Sequence, residues 1–96
     1  MFGKEINKVK ILNEHFNETG ELTIFENGFI MKTDKLNVQG GFNYIKDMQS
    51  EGGLALGRIM VYFHVFDAMG DGYKLRIAMP EQSYLILKNK WEKALE

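Results

Sequence analysis

The side chains of this sequence with the means for catalysis or metal binding are two histidines, two serines and thirteen carboxylates, with no cysteine. A zinc site takes three or four ligands, often with thiolates among them, and His15 and His64 alone do not begin such a set. His64 falls inside an apolar stretch, where a packed or hydrogen-bonded imidazole is the plain reading. Its alternative role is a base beside Asp67 or Glu81 in a small-ligand or catalytic barrel. His15 reads as a loop residue. Ser50 borders a glycine-rich loop, and Ser83 is placed to cap a helix that starts late. Neither serine has a neighbouring base in the sequence, which a hydroxyl nucleophile needs.

Two loops imitate ion sites and fail on detail. Gly52-Gly53-Leu54-Ala55-Leu56-Gly57-Arg58 resembles a phosphate loop in its glycines, but Arg58-Ile59 stands where Lys-Ser/Thr should follow. Asp67-Ala68-Met69-Gly70-Asp71-Gly72 has two carboxylates near a turn glycine. There Ala68 and Met69 interrupt the alternating oxygen ligands of a calcium loop. Both read as connections between strands. The chain is therefore expected to be no enzyme and to hold no metal or cofactor.

Lys4, Lys8 and Lys10 cluster near the start, and Lys74 with Arg76 lies on a strand face. Together with Phe42, Tyr44, Tyr62 and Phe66 they raise the alternative of an RNA-binding sheet. The net charge of −1 gives no global attraction to nucleic acid or anionic lipid, and no RNP-type motif stands in the sequence. Solvated faces are the expected reading, so nucleic acid is not an expected partner.

The elements that would position these groups are mostly strands. Ninety-six residues, 45% hydrophobic, suffice for one core, so residues 1–96 are read as a single domain. Glycine punctuates the chain ten times against one proline, the habit of a small barrel or sandwich. Asn27-Gly28, between β-branched and aromatic runs over residues 21–33, predicts a hairpin with a type I′ turn. A second hairpin is predicted over residues 58–79. Tyr73, Leu75, Ile77 and Met79 alternate there with Lys74, Arg76 and Ala78, so one face is buried. The 58–66 strand is apolar on both faces, which predicts a central strand or a covered second face. Residues 36–48 read as one or two short strands broken at Gly40-Gly41, and residues 50–57 as a mobile loop. Residues 4–16 read as a strand in preference to a short helix. After Pro80 the period changes: Tyr84, Leu87, Trp91 and Ala94 or Leu95 recur at helical spacing. That helix should rest on the second face of the 58–66 strand or plug an open end of the barrel.

This order of parts resembles the pleckstrin-homology-like superfold, including the bacterial PH and GRAM-type domains. The matching segments are Gly20-Glu-Leu-Thr-Ile-Phe with Phe29-Ile-Met-Lys, then Leu36-Asn-Val with Phe42-Asn-Tyr-Ile-Lys-Asp-Met, the hairpin from Val61 to Ala78, and the helix with Trp91. The resemblance implies six to seven antiparallel strands capped by one C-terminal amphipathic helix, and a binding module that does no chemistry. The family's lipid binders carry clustered lysine and arginine between the first two strands. The matching loop here, Asn13-Glu-His-Phe-Asn-Glu-Thr19, is acidic, so phosphoinositide is not expected.

A protein or peptide partner is the expectation that remains, with self-association as a homodimer included. Its expected contacts are Tyr62, His64 and Trp91, or the loop of Gly52, Gly53 and Gly57. A peptide would add to the exposed strand edge beside the terminal helix. Phe25, Phe29, Met31, Phe42, Met60, Tyr62 and Phe66 exceed what one small core needs, and a part of them is expected to line such a patch. The absence of cysteine, of an apolar run near the roughly 18 residues that span a bilayer, and of a secretion-leader pattern over residues 1–5 makes a cytoplasmic location the expectation.

Overall fold

A computed structural model describes residues 2–13, 15–34 and 36–95. Among the described residues seven antiparallel strands and one C-terminal α-helix form: β1 (Glu5–Leu12), β2 (Glu18–Phe25), β3 (Phe29–Thr33), β4 (Asn37–Gly40), β5 (Ile45–Gly53), β6 (Arg58–Phe66), β7 (Gly72–Pro80) and α1 (Glu81–Ala94). The strands join in the order β4-β3-β2-β1-β7-β6-β5. The expected mostly-β architecture capped by a helix is what forms. The sheet is not closed into a barrel, because β4 and β5 remain its two edges.

Burial follows the period of two that a half-buried strand requires. Along β6, Ile59, Val61, Phe63 and Val65 are buried, while Met60, Tyr62, His64 and Phe66 are half-buried on the other face. β6 is the central strand of the second half, as its apolar faces predict. Ile11, Leu22, Ile24, Phe29 and Met31 from the first half share one apolar cluster with Val61, Phe63, Ile77 and Met79 from the second. One sheet face is therefore folded over on itself, and the Cα radius of gyration of 12.2 Å matches a compact chain of this length.

The bend leaves a gap between edges β4 and β5. A 3-10 turn at Phe42–Tyr44 crosses it, and α1 packs over that turn and over β6 and β7. Tyr84 and Leu87 are buried beneath the helix, and the Trp91 indole N–H donates to the Ile45 carbonyl at 2.8 Å. The helix thus closes an open end and leaves the outer face of β6 uncovered. Its apolar stripe stops at Trp91, since Ala94 and Leu95 are exposed. Ser83 does not cap it: α1 begins after Pro80 with no side-chain cap, and the Ser83 hydroxyl donates to Asn7 Oδ1 at 2.9 Å.

Two local expectations are corrected by tertiary contacts. The first hairpin exists, but the Phe25 N–H to Gly28 carbonyl bond at 2.8 Å centres its turn on Glu26 and Asn27, and neither Asn27 nor Gly28 has positive φ. The amides of Glu26 and Asn27 instead donate to the carbonyls of Lys4 and Phe2. Gly28 is needed for room, because a Cβ there would run into the Phe2 ring and the Gly40 carbonyl. Residues 50–53, expected in a mobile loop, belong to β5, where β6 holds them in register past a bulge between Ser50 and Gly52.

Leu87 is fully buried, so Leu87→Ala should cost about 2–5 kcal/mol through the cavity it leaves. Trp91→Phe keeps an aromatic ring but is smaller and removes the N–H that the Ile45 carbonyl accepts, an expected loss of about 1–3 kcal/mol. Urea unfolding followed by circular dichroism measures both. A Trp91→Phe protein as stable as the parent would mean that packing alone seats the helix.

Candidate functional site

The two halves of the sheet touch through very little backbone. Among the described residues β1 and β7 share one register pair, Leu12 with Ala78. β1 ends there because Asn13 starts a tight turn: its Oδ1 accepts the amides of His15 and Asn17 at 2.9 and 3.1 Å. An Asn side chain that binds backbone amides two and four residues ahead turns the chain out of a ladder. Phe16 takes φ 64 in this turn. Glu14, one of the acidic residues of the loop, lies outside the described residues.

β7 runs on without β1. From residue 72 to 77 it has β6 on one side and a cleft of about 450 Å³ on the other. Asn13, Thr19, Thr33, Asp34 and Leu36 line the cleft with the β7 residues. The far wall is braced. Thr19 Oγ1 donates to Asp34 Oδ1 at 2.7 Å, the Asp34 amide donates to the Thr19 carbonyl at 3.0 Å, and the Leu36 amide donates to Thr33 Oγ1 at 3.0 Å. The volume falls in the range of ligand sites, about 300–1,000 Å³.

The β6–β7 loop at the cleft's end is also fixed. Asp67 Oδ1 accepts the amides of Met69 and Asp71, and Oδ2 accepts the Tyr73 hydroxyl at 3.0 Å. Desolvation would raise the Asp67 pKa, but the amides of Asp71, Met69 and Gly70 and the Tyr73 hydroxyl outweigh it and hold the carboxyl below its ordinary 3.8. The same hydrogen bond, with the charge of Asp67, pushes the Tyr73 phenol above 10.0. Asp67 is therefore occupied within its own loop and does not serve His64. Among the described residues no three of His, Asp and Glu converge as a metal set.

The expected contact residues fall in three places. Tyr62 and His64 lie on the outward face of β6, in register with Gln49 and Arg76, and with Asp47 and Lys74. That face is largely engaged with itself. Arg76 pairs with Glu51 at 2.7 Å and lies over the Tyr62 ring, Lys46 lies over Phe66, and the His64 and Phe66 rings stand 5.2 Å apart. Trp91 is half-buried on the opposite side, fastened to Ile45. Gly52, Gly53 and Gly57 sit at the far tip of the β5–β6 hairpin, beside Leu56, which is 88% exposed at φ 63. Of the apolar surplus, Phe29, Met31 and Phe42 are core, while Phe25, Met60, Tyr62 and Phe66 are half-buried.

No family model, curated protein or solved structure matches this chain. Its site must be read from its own geometry. Sequence reasoning missed the cleft at residues 72–77 with Asn13, Asp34 and Leu36. The signal within reach was Asn13, an acceptor placed directly after an alternating strand.

The shifts have opposite signs with pH. The Asp67 contribution to stability is present above 3.8 and is lost as pH falls through its lower folded value. The Tyr73 contribution is present below 10.0 and is lost as pH rises through its higher folded value. Carboxyl and ring NMR titrations should place the Asp67 midpoint below 3.8 and that of Tyr73 above 10.0. In Asp67→Asn the Tyr73 midpoint should move down; an unmoved midpoint would show that the pair does not set it.

Proposed function

We propose that this chain is a pleckstrin-homology-like binding module that seats an extended segment of a protein or peptide partner on the unpaired edge of β7. The observation that carries the reading is a strand edge open over residues 72–77 inside a braced cleft. An unpaired strand presents a row of amides and carbonyls, and an added strand gains a backbone ladder from it. The resemblance itself rests on the order of parts read along the chain, seven antiparallel strands and then one helix. A cytoplasmic setting belongs to the same proposal and rests on the cysteine-free composition.

The other edges favour the cleft by contrast. β4 has four residues. β5 carries irregularities in register between Ile45 and Asp47 and between Ser50 and Gly52, and the Asp47 side chain accepts the Met48 amide at 2.9 Å. Short edges, bulges and capped amides are how strands resist pairing. The edge expected beside the terminal helix is β5, which carries these protections and meets Trp91 at Ile45. The β7 stretch has neither a bulge nor a capped amide among the described residues, and its exposed Lys74 and Arg76 are its charged side chains.

A random-peptide display screen against the immobilised chain should enrich sequences that slow amide exchange over residues 72–77. Leu36→Trp, which fills the cleft from its far wall, should weaken their binding at least about ten-fold, the mark of a lost site contact. Enriched peptides that protect the β5 edge or the outer face of β6 instead, or a screen with no enrichment, would remove this reading.

A further inference from the structure

The chemistry of the two faces of β7 restricts what the cleft accepts. A strand added to β7 alternates its side chains between the faces of the sheet and sets each beside its β7 neighbour on that face. On the outward face those neighbours are Lys74 and Arg76, both exposed; on the inward face they are Tyr73, Leu75 and Ile77, half-buried or buried. Arg76 is committed to Glu51 at 2.7 Å. Lys74 is exposed and, among the described residues, has no ion pair. On the inward side Leu36, which packs against the core, lines the same cleft; Asp34 lines it as an exposed residue whose Oδ1 accepts the Thr19 hydroxyl.

We infer that the segment seated on β7 alternates acidic and apolar residues, with an acid beside Lys74 and apolar side chains toward Leu75 and Leu36. The inference rests on the strand-addition reading and narrows it to one partner chemistry. An acid on the outward face meets the uncommitted cation. An acid on the inward face leaves water for the apolar wall of Tyr73, Leu75 and Leu36, so the register is set by both faces at once. A basic alternation fails for the mirror reason, because it places like charges beside Lys74 and Arg76.

The test uses the full chain and three fluorescein-labelled octapeptides: alternating glutamate with leucine and valine, the same pattern with lysine for glutamate, and a scrambled sequence of the acidic composition. The acidic alternating peptide should bind tightest by anisotropy and shift the amides of residues 72–77. Its affinity should fall with added salt. Lys74→Glu should lower its affinity on the order of ten-fold and raise that of the lysine peptide, the swing expected when a cross-strand pair changes from opposite to like charge. Lys74→Gln should fall between the two, and unchanged spectra away from β7 will show that both variants are folded. Binding at residues 72–77 with equal affinity for all three peptides would overturn the charge rule and leave strand addition standing. Peptides that shift no amide in 72–77 would overturn both.

Discussion

Leu12 and Ala78 form the register pair that joins the two halves of this sheet, and the rest of the molecule depends on how short that junction is. A seven-stranded sheet with one apolar face must bury it, and this chain has one short helix to lay on it. With a long β1–β7 ladder the face would stay open beyond the reach of the helix. A junction of one pair acts as a corner, and the apolar rows on either side of it can turn toward each other and share one core. Ala78 is fully buried there. A small residue suits a corner in which two half-sheets approach closely.

The corner has two costs at opposite sides of the fold. On one side β4 and β5 cannot meet, and α1 closes the gap with Leu87 beneath it and Trp91 bonded to the first residue of β5. On the other side β7 outruns β1 and leaves residues 72–77, six of its nine, without a strand on their β1 side. The helix and the cleft are thus consequences of the same offset. Anything that lengthened the β1–β7 ladder by removing the Asn13 turn would close the cleft and strain the seating of the helix together.

Features set by near neighbours were legible in the sequence. The alternation of β7 and the double apolar face of β6 gave both strands and their order, because burial on a pleated strand repeats every second residue. The 3.6-residue spacing of Tyr84, Leu87 and Trp91 gave the helix and its buried stripe for the same reason. What failed depends on distant partners. The Asn27-Gly28 turn shifted because Phe2 and Lys4 accept its amides, and Ser83 serves Asn7, 76 residues away, instead of a helix cap. Tyr62 and His64 were read on the second apolar face of a central strand, and no local pattern says that this face stays uncovered by the helix with Arg76 and Lys46 lying across it. The cleft was missed because the offset between two strands is a property of the pair, and Asn13 signals only where β1 stops.

The cleft also solves the hazard that it creates. An unpaired strand edge is a template for another copy of the chain, and proteins usually blunt it. Here β4 is short, β5 is bulged and its Met48 amide is capped by Asp47, whereas residues 72–77 carry no such device. Their protection is the far wall of Thr19, Asp34 and Leu36, held by its own hydrogen bonds. That wall stands across the cleft from residues 72–77. Its brace joins an exposed hydrogen bond, Thr19 Oγ1 to Asp34 Oδ1, with a half-buried one, the Leu36 amide to Thr33 Oγ1. That braced wall opposite an unpaired stretch of strand is the feature on which the proposal of strand addition at β7 rests.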